Sequence, residues 1–172
     1  RQCRRQRQMC IRDRLYLVPE IALTTQLVER LKVYFSDHLV VYHSGLNINQ
    51  RAELWNDLIL SDKPKIIIGA RSAIFLPYNN LKLIIVDEEH EQTYKQYEPS
   101  PRYHARDSSL VLANFHNSKV LLGSATPSIE SFYNCDESKK FALVELNERF
   151  GNIPLPKINI VDLSEKIRSG NM

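Results

Sequence analysis

The sequence predicts an α/β fold: a parallel sheet with helices on both faces. Short apolar runs alternate with segments of about 10–15 residues whose apolar positions recur at helical spacing, the pattern of strands joined by crossover helices. One run, Leu81–Val86, carries no polar alternation after Lys82, as expected of a strand buried on both faces. Several runs end abruptly at Pro, Gly or a polar cluster, so their ends are sharply marked.

Taken in order, Leu15–Val18 is a short apolar run stopped by Pro19 and reads as a buried strand. Leu27, Leu31 and Phe35, with Val28 and Tyr34 beside them, mark a helix that Thr24 or Thr25 can cap. Leu39–Tyr42 is a second strand, turned by His43-Ser44-Gly45. Asn47 and Gln50 have the spacing of a capping pair for a second helix, whose buried face is expected to hold Ala52, Trp55, Leu58 and Ile59. Lys65–Ile68 is a third strand, closed by Gly69, and Leu81–Val86 a fourth. Residues 91–103 are polar and aromatic, with Pro99 and Pro101, and read as a loop. A third helix carries Leu110, Ala113 and Phe115. Val120–Leu122 is a strand, Ser128–Tyr133 a short helix and Phe141–Leu146 a last strand.

Composition narrows the class. Of 172 residues, 43% are apolar and 25% charged, which excludes disorder and collagen-like repeats. No apolar run approaches the ~20 residues of a membrane span, and no signal-peptide pattern follows the basic start. The net charge of +3 is a local effect: residues 1–14 hold six Arg and one Asp, leaving 17 basic and 19 acidic side chains in the remainder. Whole-chain charge is therefore no argument for nucleic acid. Two of three cysteines, Cys3 and Cys10, lie in the same segment; Cys135 reads as a partly buried free thiol, and a reducing cytoplasm is the default location. The first fourteen residues read as a disordered tail or a basic arm. Their end, MCIRDR, resembles a translated sequencing adaptor, so they are set aside as a non-native or disordered basic tail, dispensable for folding.

In parallel sheets, ligands sit at the carboxyl ends of the strands. The groups expected to converge there are Pro19-Glu20, His43-Ser44, Arg71-Ser72, Asp87-Glu88-Glu89-His90 and Ser124-Ala125-Thr126. Asp87 suits a hydrated Mg²⁺, which prefers one or two carboxylates plus phosphate oxygens. Glu88 can orient and deprotonate a water for attack on phosphate. Read alone, the pair is equally a solvated acidic turn. Gly123–Ser128, taken singly, reads as a turn with a helix cap at Ser128. Between Glu91 and Arg106, Tyr94, Tyr97 and Tyr103 offer stacking surfaces for unpaired bases, Lys95, Arg102 and Arg106 offer phosphate contacts, and His104 suits either; the bland alternative packs the tyrosines on the domain.

Together and in this order, these segments carry a resemblance. IIVDEEH followed by LLGSATPS resembles the nucleotide-hydrolysis motifs of superfamily 2 helicases; LVPEIALTTQL and IIIGARSAIFLP resemble two further motifs. DEEHEQTYKQYEPSPRYHARD is similar to one family in particular, the bacterial primosomal protein N′ (PriA) replication-restart helicases. The resemblance covers residues 15–165 and implies a RecA-like P-loop NTPase helicase lobe over 15–150, with 151–172 leading toward a second lobe. It implies an ATP-driven enzyme that translocates 3′→5′ on single-stranded DNA. Asp87 would serve Mg²⁺ of MgATP, through water, and Glu88 would be the catalytic base. Ser124 and Thr126 would lie at the nucleotide and couple hydrolysis to lobe movement. Pro19, Glu20, Arg71 and Ser72 would line the DNA path, and the tyrosine loop would be a coupling loop. Where the family commonly has Gly-Thr-Arg-Ser, this chain has Gly69-Ala70-Arg71-Ser72, which loses a hydroxyl and keeps the Arg.

The resemblance also implies partners: single-stranded and forked DNA, primosome proteins and single-strand-binding protein, with no membrane, a monomeric state and a cytoplasmic location. No Gly-x-x-x-x-Gly-Lys-[Ser/Thr] loop occurs in the chain, nor the family's zinc-binding cysteines. The chain is thus expected to be an internal piece of a longer helicase that does not hydrolyse ATP alone. Two readings from other classes remain beside it: a metal-dependent phosphoesterase using Asp87, Glu88, Glu89 and His90, and a non-catalytic single-stranded-DNA-binding module using the tyrosine loop.

Overall fold

A computed structural model describes residues 13–20, 25–61, 63–136 and 140–148, with residues 151 and 159. Contacts divide the chain into two compact units, Arg1–Tyr133 and Asn134–Met172. The first unit holds a five-stranded sheet of β1 (Asp13–Leu17), β2 (Leu39–Tyr42), β3 (Ile66–Gly69), β4 (Leu81–Val86) and β7 (Lys119–Leu122), in the order β2-β3-β1-β4-β7. All four pairings are parallel. Between these strands lie α1 (Thr25–Phe35), α2 (Ile48–Leu60), a 3₁₀ turn at Arg71–Phe75, and α3 (Ala105–His116). The ribbon of β5 (Lys95–Gln96) and β6 (Tyr103–His104) precedes α3, and α4 (Ile129–Asp136) follows β7.

The strand order dictates the layers. From β1 the chain runs to the β2 edge, and every later crossover returns in the opposite direction. Right-handed crossovers therefore put α1 on one face and α2, the Arg71–Phe75 turn and α3 on the other. The packing agrees: Leu58 of α2, Ala73 of the turn, and Ala105 and Ala113 of α3 share one core with Leu15, Leu17, Ile67, Ile84 and Val86. The opposite face is thinner. Tyr16 and Ile85 are half-buried there, Leu121 is exposed, and α1 buries no residue completely. The parallel α/β architecture matches the expectation.

Local chemistry sets the element ends. Asn47 and Gln50 form a reciprocal capping box: the Asn47 carboxamide oxygen accepts the Gln50 N–H at 2.9 Å, and the Gln50 side chain accepts the Asn47 N–H at 3.0 Å. Asn117 closes α3 in the left-handed conformation, φ 49°, which Asn tolerates. Gly69 ends β3 where only a hydrogen fits: a Cβ there would lie 2.6 Å from the Tyr42 carbonyl oxygen and 2.8 Å from the Ala73 Cβ. Gly69→Ala is expected to cost about 1–3 kcal/mol, the price of overpacking, read as a lower midpoint in urea unfolding. An unchanged midpoint would show that the Tyr42 and Ala73 backbones yield freely.

Three sequence expectations need correction. The first strand starts at Asp13, inside the segment set aside as a tail. Asp13 is buried; its carboxylate accepts the Lys65 N–H at 2.9 Å, and its own N–H donates to the Asn80 carbonyl at 3.0 Å. A polar residue doing a strand's work leaves no apolar signal, and a shortened chain should start at Asp13 rather than Leu15. The expected core face of α2 reduces to Leu58, because Trp55 and Ile59 are 44% and 46% exposed and Ala52 is exposed. In the second unit, 142–147 has no regular structure, with Leu143, Val144 and Leu146 exposed. Among the described residues that apolar run finds no neighbouring strand, and β propensity without a ladder does not make one. Cys135 is a half-buried free thiol, as expected; the cap position Thr24 and most of residues 1–14 lie outside the described residues.

Candidate active site

Register brings the strand ends into one row. Tyr42 pairs with Gly69, Gly69 with Leu17, Leu17 with Val86, and Val86 with Leu122. The segments after β4 and β7 are then sewn together by backbone: the Asp87 N–H donates to the Leu17 carbonyl at 2.9 Å, the Gly123 N–H to the Val86 carbonyl at 2.9 Å, and the Glu89 N–H to the Gly123 carbonyl at 3.0 Å.

Asp87 is half-buried and held on both oxygens. Oδ1 accepts the Glu88 N–H at 3.1 Å and Oδ2 accepts the Tyr16 hydroxyl at 2.7 Å. Burial, then the hydrogen bond and charge of Asp87, push the Tyr16 hydroxyl far above its ordinary value, so it stays a donor. Each carboxylate oxygen keeps a further lone pair, which fits a hydrated Mg²⁺ reached through water. Glu88 is exposed and adopts the left-handed backbone conformation, φ 47°. His90 binds the two strand-end turns: its Nδ1 lies 2.7 Å from the Ser124 hydroxyl and 3.6 Å from Glu88 Oε2, and its Nε2 lies 3.4 Å from the Thr126 hydroxyl. The Ser124 hydroxyl also accepts the Thr126 N–H at 3.0 Å. Asp87, Glu88, His90, Ser124 and Thr126 therefore form one cluster.

Glu89 faces inward. It is 2% exposed, and its carboxylate accepts the Ser128 N–H at 2.6 Å, the Ser131 hydroxyl at 2.8 Å and the Arg106 guanidinium at 3.0 Å. Burial alone would raise its pKa, but the bonds from Ser128, Ser131 and Arg106 outweigh it and hold the carboxyl below its ordinary value. Sequence reasoning gave Glu89 no such role, and no local signal offered one, because its partners Arg106, Ser128 and Ser131 lie 17, 39 and 42 residues along the chain.

The expected DNA residues divide. Tyr97 is 56% exposed, with the Lys95 ammonium 4.8 Å from its ring centre, and Arg102 is exposed. Tyr103 is half-buried, edge-on to Phe75 at 4.8 Å. Tyr94 is corrected: it is 1% exposed, with its hydroxyl donating to the Asp87 carbonyl at 2.6 Å, so it has no face for a base. Arg106 is corrected likewise, because it is buried against Glu89 and also donates to Asp107 at 2.8 Å. Burial lowers the His104 pKa, favouring a neutral ring unsuited to phosphate. Arg71 is half-buried and donates to the carbonyls of Thr93 and Lys95 at 3.3 and 3.4 Å, which ties it to the base of the ribbon. Pro19 is buried, Ser72 half-buried and Glu20 exposed.

Among the described residues, no group of three or more His, Cys, Asp or Glu stands close enough to hold a metal ion by itself, and no helix is long and apolar enough to cross a membrane.

The chain is similar to several curated proteins named replication restart protein PriA. It is 41% identical to that of Bacillus subtilis over 93% of this chain and 20% of that protein. It is 47% identical to that of Haemophilus influenzae over 91% of this chain and 21% of that protein, and 42% to that of Synechocystis over 91% and 19%. The chain thus spans about a fifth of the length of these relatives. A solved structure of RecG bound to a three-way DNA junction is similar over 73% of this chain and 16% of that one, at 18% identity and TM-score 0.47. The DEAD/DEAH box helicase family model matches residues 10–134, which includes every strand of the sheet and both strand-end turns. The sheet is a RecA-like helicase lobe, and the chain belongs to the DEAD/DEAH box helicase family.

Proposed function

We propose that this chain is the nucleotide-hydrolysing edge of the first RecA-like lobe of a replication-restart DNA helicase, which couples ATP hydrolysis to 3′→5′ movement on single-stranded DNA. The observation that carries the reading is the cluster at the ends of β4 and β7, where His90 joins Glu88 to Ser124 and Thr126. Asp87, aimed by Tyr16, would hold Mg²⁺ through water, and the ion would supply charge to the ATP phosphates. The exposed Glu88 carboxylate, with one oxygen 3.6 Å from His90, would orient a water toward the terminal phosphate and take its proton. A change at the phosphate would reach Ser124 and Thr126 through His90. Single-stranded and forked DNA is the proposed partner, with primosome proteins and single-strand-binding protein proposed beside it and a cytoplasmic site of action; the similarity to proteins named replication restart protein supports the role in restart.

The ribbon is the proposed DNA contact, now resting on Lys95, Tyr97 and Arg102, with Tyr103 at its edge. Gln96 shapes its tip, donating to the carbonyls of Pro99 and Pro101 at 2.8 and 3.0 Å. In the full-length protein, Tyr97→Ala is expected to weaken binding of single-stranded DNA by about 1–3 kcal/mol, read by fluorescence anisotropy. Unchanged affinity and unchanged DNA-stimulated ATPase would remove Tyr97 from the interface. The same exposed residues favour the second reading, a non-catalytic DNA-binding module. DNA-stimulated phosphate release separates the two, since only the helicase lobe needs Glu88.

A further inference from the structure

We propose that Glu89 is a positioning residue: a buried carboxylate latch that fastens the 124–128 turn and the exit of the tyrosine ribbon to the Asp87-Glu88 turn, so that DNA held on the ribbon is registered at Glu88. The proposal rests on the helicase reading and deepens it. Glu89 touches neither nucleotide nor DNA in that reading; it acts through Ser128 and Arg106.

The geometry joins three segments distant in sequence. On the first, Glu89 follows Glu88 directly, and its N–H is fixed to the Gly123 carbonyl at 3.0 Å. On the second, Ser128 and Ser131 offer the Ser128 N–H at 2.6 Å and the Ser131 hydroxyl at 2.8 Å to the Glu89 carboxylate. The Ser128 hydroxyl lies 3.0 Å from Glu89 Oε2 and accepts from the Arg106 guanidinium at 2.6 Å. On the third, Arg106 donates to Glu89 Oε2 at 3.0 Å. β6 ends at His104 and α3 begins at Ala105, so no slack separates the ribbon from Arg106. A tilt of the ribbon must move the guanidinium, and the guanidinium shares Glu89 with the turn that carries Ser124 and Thr126.

A core that needed only filling would take apolar side chains at both Glu89 and Arg106, because a buried ion pair is often replaceable as a pair by hydrophobic residues without loss of stability. What an apolar residue lacks is direction. The carboxylate's bonds to Ser128, Ser131 and Arg106 fix one mutual arrangement of the three segments, and a fully bonded polar network of this kind specifies geometry.

The test uses the full-length protein with Glu89→Gln, which keeps the side chain's shape and removes its charge, and Ser128→Ala, which keeps the backbone bond and removes the bridging hydroxyl. ATP hydrolysis is measured with and without saturating oligo-dT, and affinity is measured with labelled oligo-dT. The expected result for Glu89→Gln is a loss of about tenfold in the ratio of DNA-stimulated to DNA-free hydrolysis, with the DNA-free rate and DNA affinity changed less than about twofold; Ser128→Ala moves the same ratio in the same direction by a few fold. Wild-type stimulation in both variants would overturn the proposal, as would a loss shared equally by the DNA-free rate, the mark of a merely structural residue. If Glu89→Gln does not fold, Ser128→Ala decides by the same criteria. Glu88→Gln is run in parallel: turnover in that variant would overturn the helicase reading itself, whereas its loss alongside intact stimulation in Glu89→Gln would overturn only the latch.

Discussion

Glu88→Gln, made in the full-length protein, is expected to lower ATP turnover by about 10²–10⁴-fold while MgATP and single-stranded DNA still bind. The amide matches the carboxylate in size and leaves Asp87, with its bonds from Tyr16 and the Glu88 N–H, in place. What is lost is the basic oxygen that takes a proton from the attacking water. His90 cannot replace it cheaply, because its Nδ1 is already 2.7 Å from the Ser124 hydroxyl. Single-turnover phosphate release and binding of a fluorescent ATP analogue check the two halves. Turnover within tenfold of wild type would place the base elsewhere.

Arg106→Ala carries the largest expected effect on stability, about 3–5 kcal/mol. It leaves Glu89, 2% exposed, as a buried carboxylate without its counter-charge. Arg102→Ala, at an exposed position, should stay within about 0.5 kcal/mol. Urea unfolding of the two variants measures the contrast, and equal midpoints would mean that Glu89 relaxes to solvent. The pH dependence has a definite sign. The folded Glu89 pKa lies below its ordinary 4.5, so its contribution is fully present above that pH and is lost as pH falls through the folded value. The gap between wild type and Arg106→Ala should therefore narrow in acid.

Several elements were legible in the residues themselves. β2 and β4 occupy the predicted bounds, and the Asn47–Gln50 spacing is a real capping box, because these features depend on local apolar runs and short-range bonds. The convergence of the Asp87-Glu88 and Ser124-Thr126 turns followed from the topology of parallel sheets. What escaped depends on pairing across the fold. Tyr16 meets Asp87 only because β1 and β4 pair with Tyr16 opposite Ile85, a register no local pattern specifies. Arg106 and Tyr94 looked like DNA contacts because Arg and Tyr are usually surface-capable; the buried Glu89 carboxylate and the Asp87 carbonyl claimed them instead. Trp55 and, in the 141–146 run, Leu143, Val144 and Leu146 erred in the opposite direction, apolar residues that the described fold leaves exposed.

The left-handed backbone of Glu88 has a consequence for anyone breeding sturdier versions of this lobe. A residue with a Cβ pays about 1–2 kcal/mol to sit at φ 47°, and glycine does not. Side-chain loss at position 88 sacrifices no buried contact, since Glu88 is exposed. A screen that rewards heat resistance alone should therefore enrich Glu88→Gly, and each enriched clone would be a better-folded protein with its proton acceptor deleted. Tolerance maps scored by folding would rank this position as free to change, and maps scored by ATP turnover would rank it among the least free.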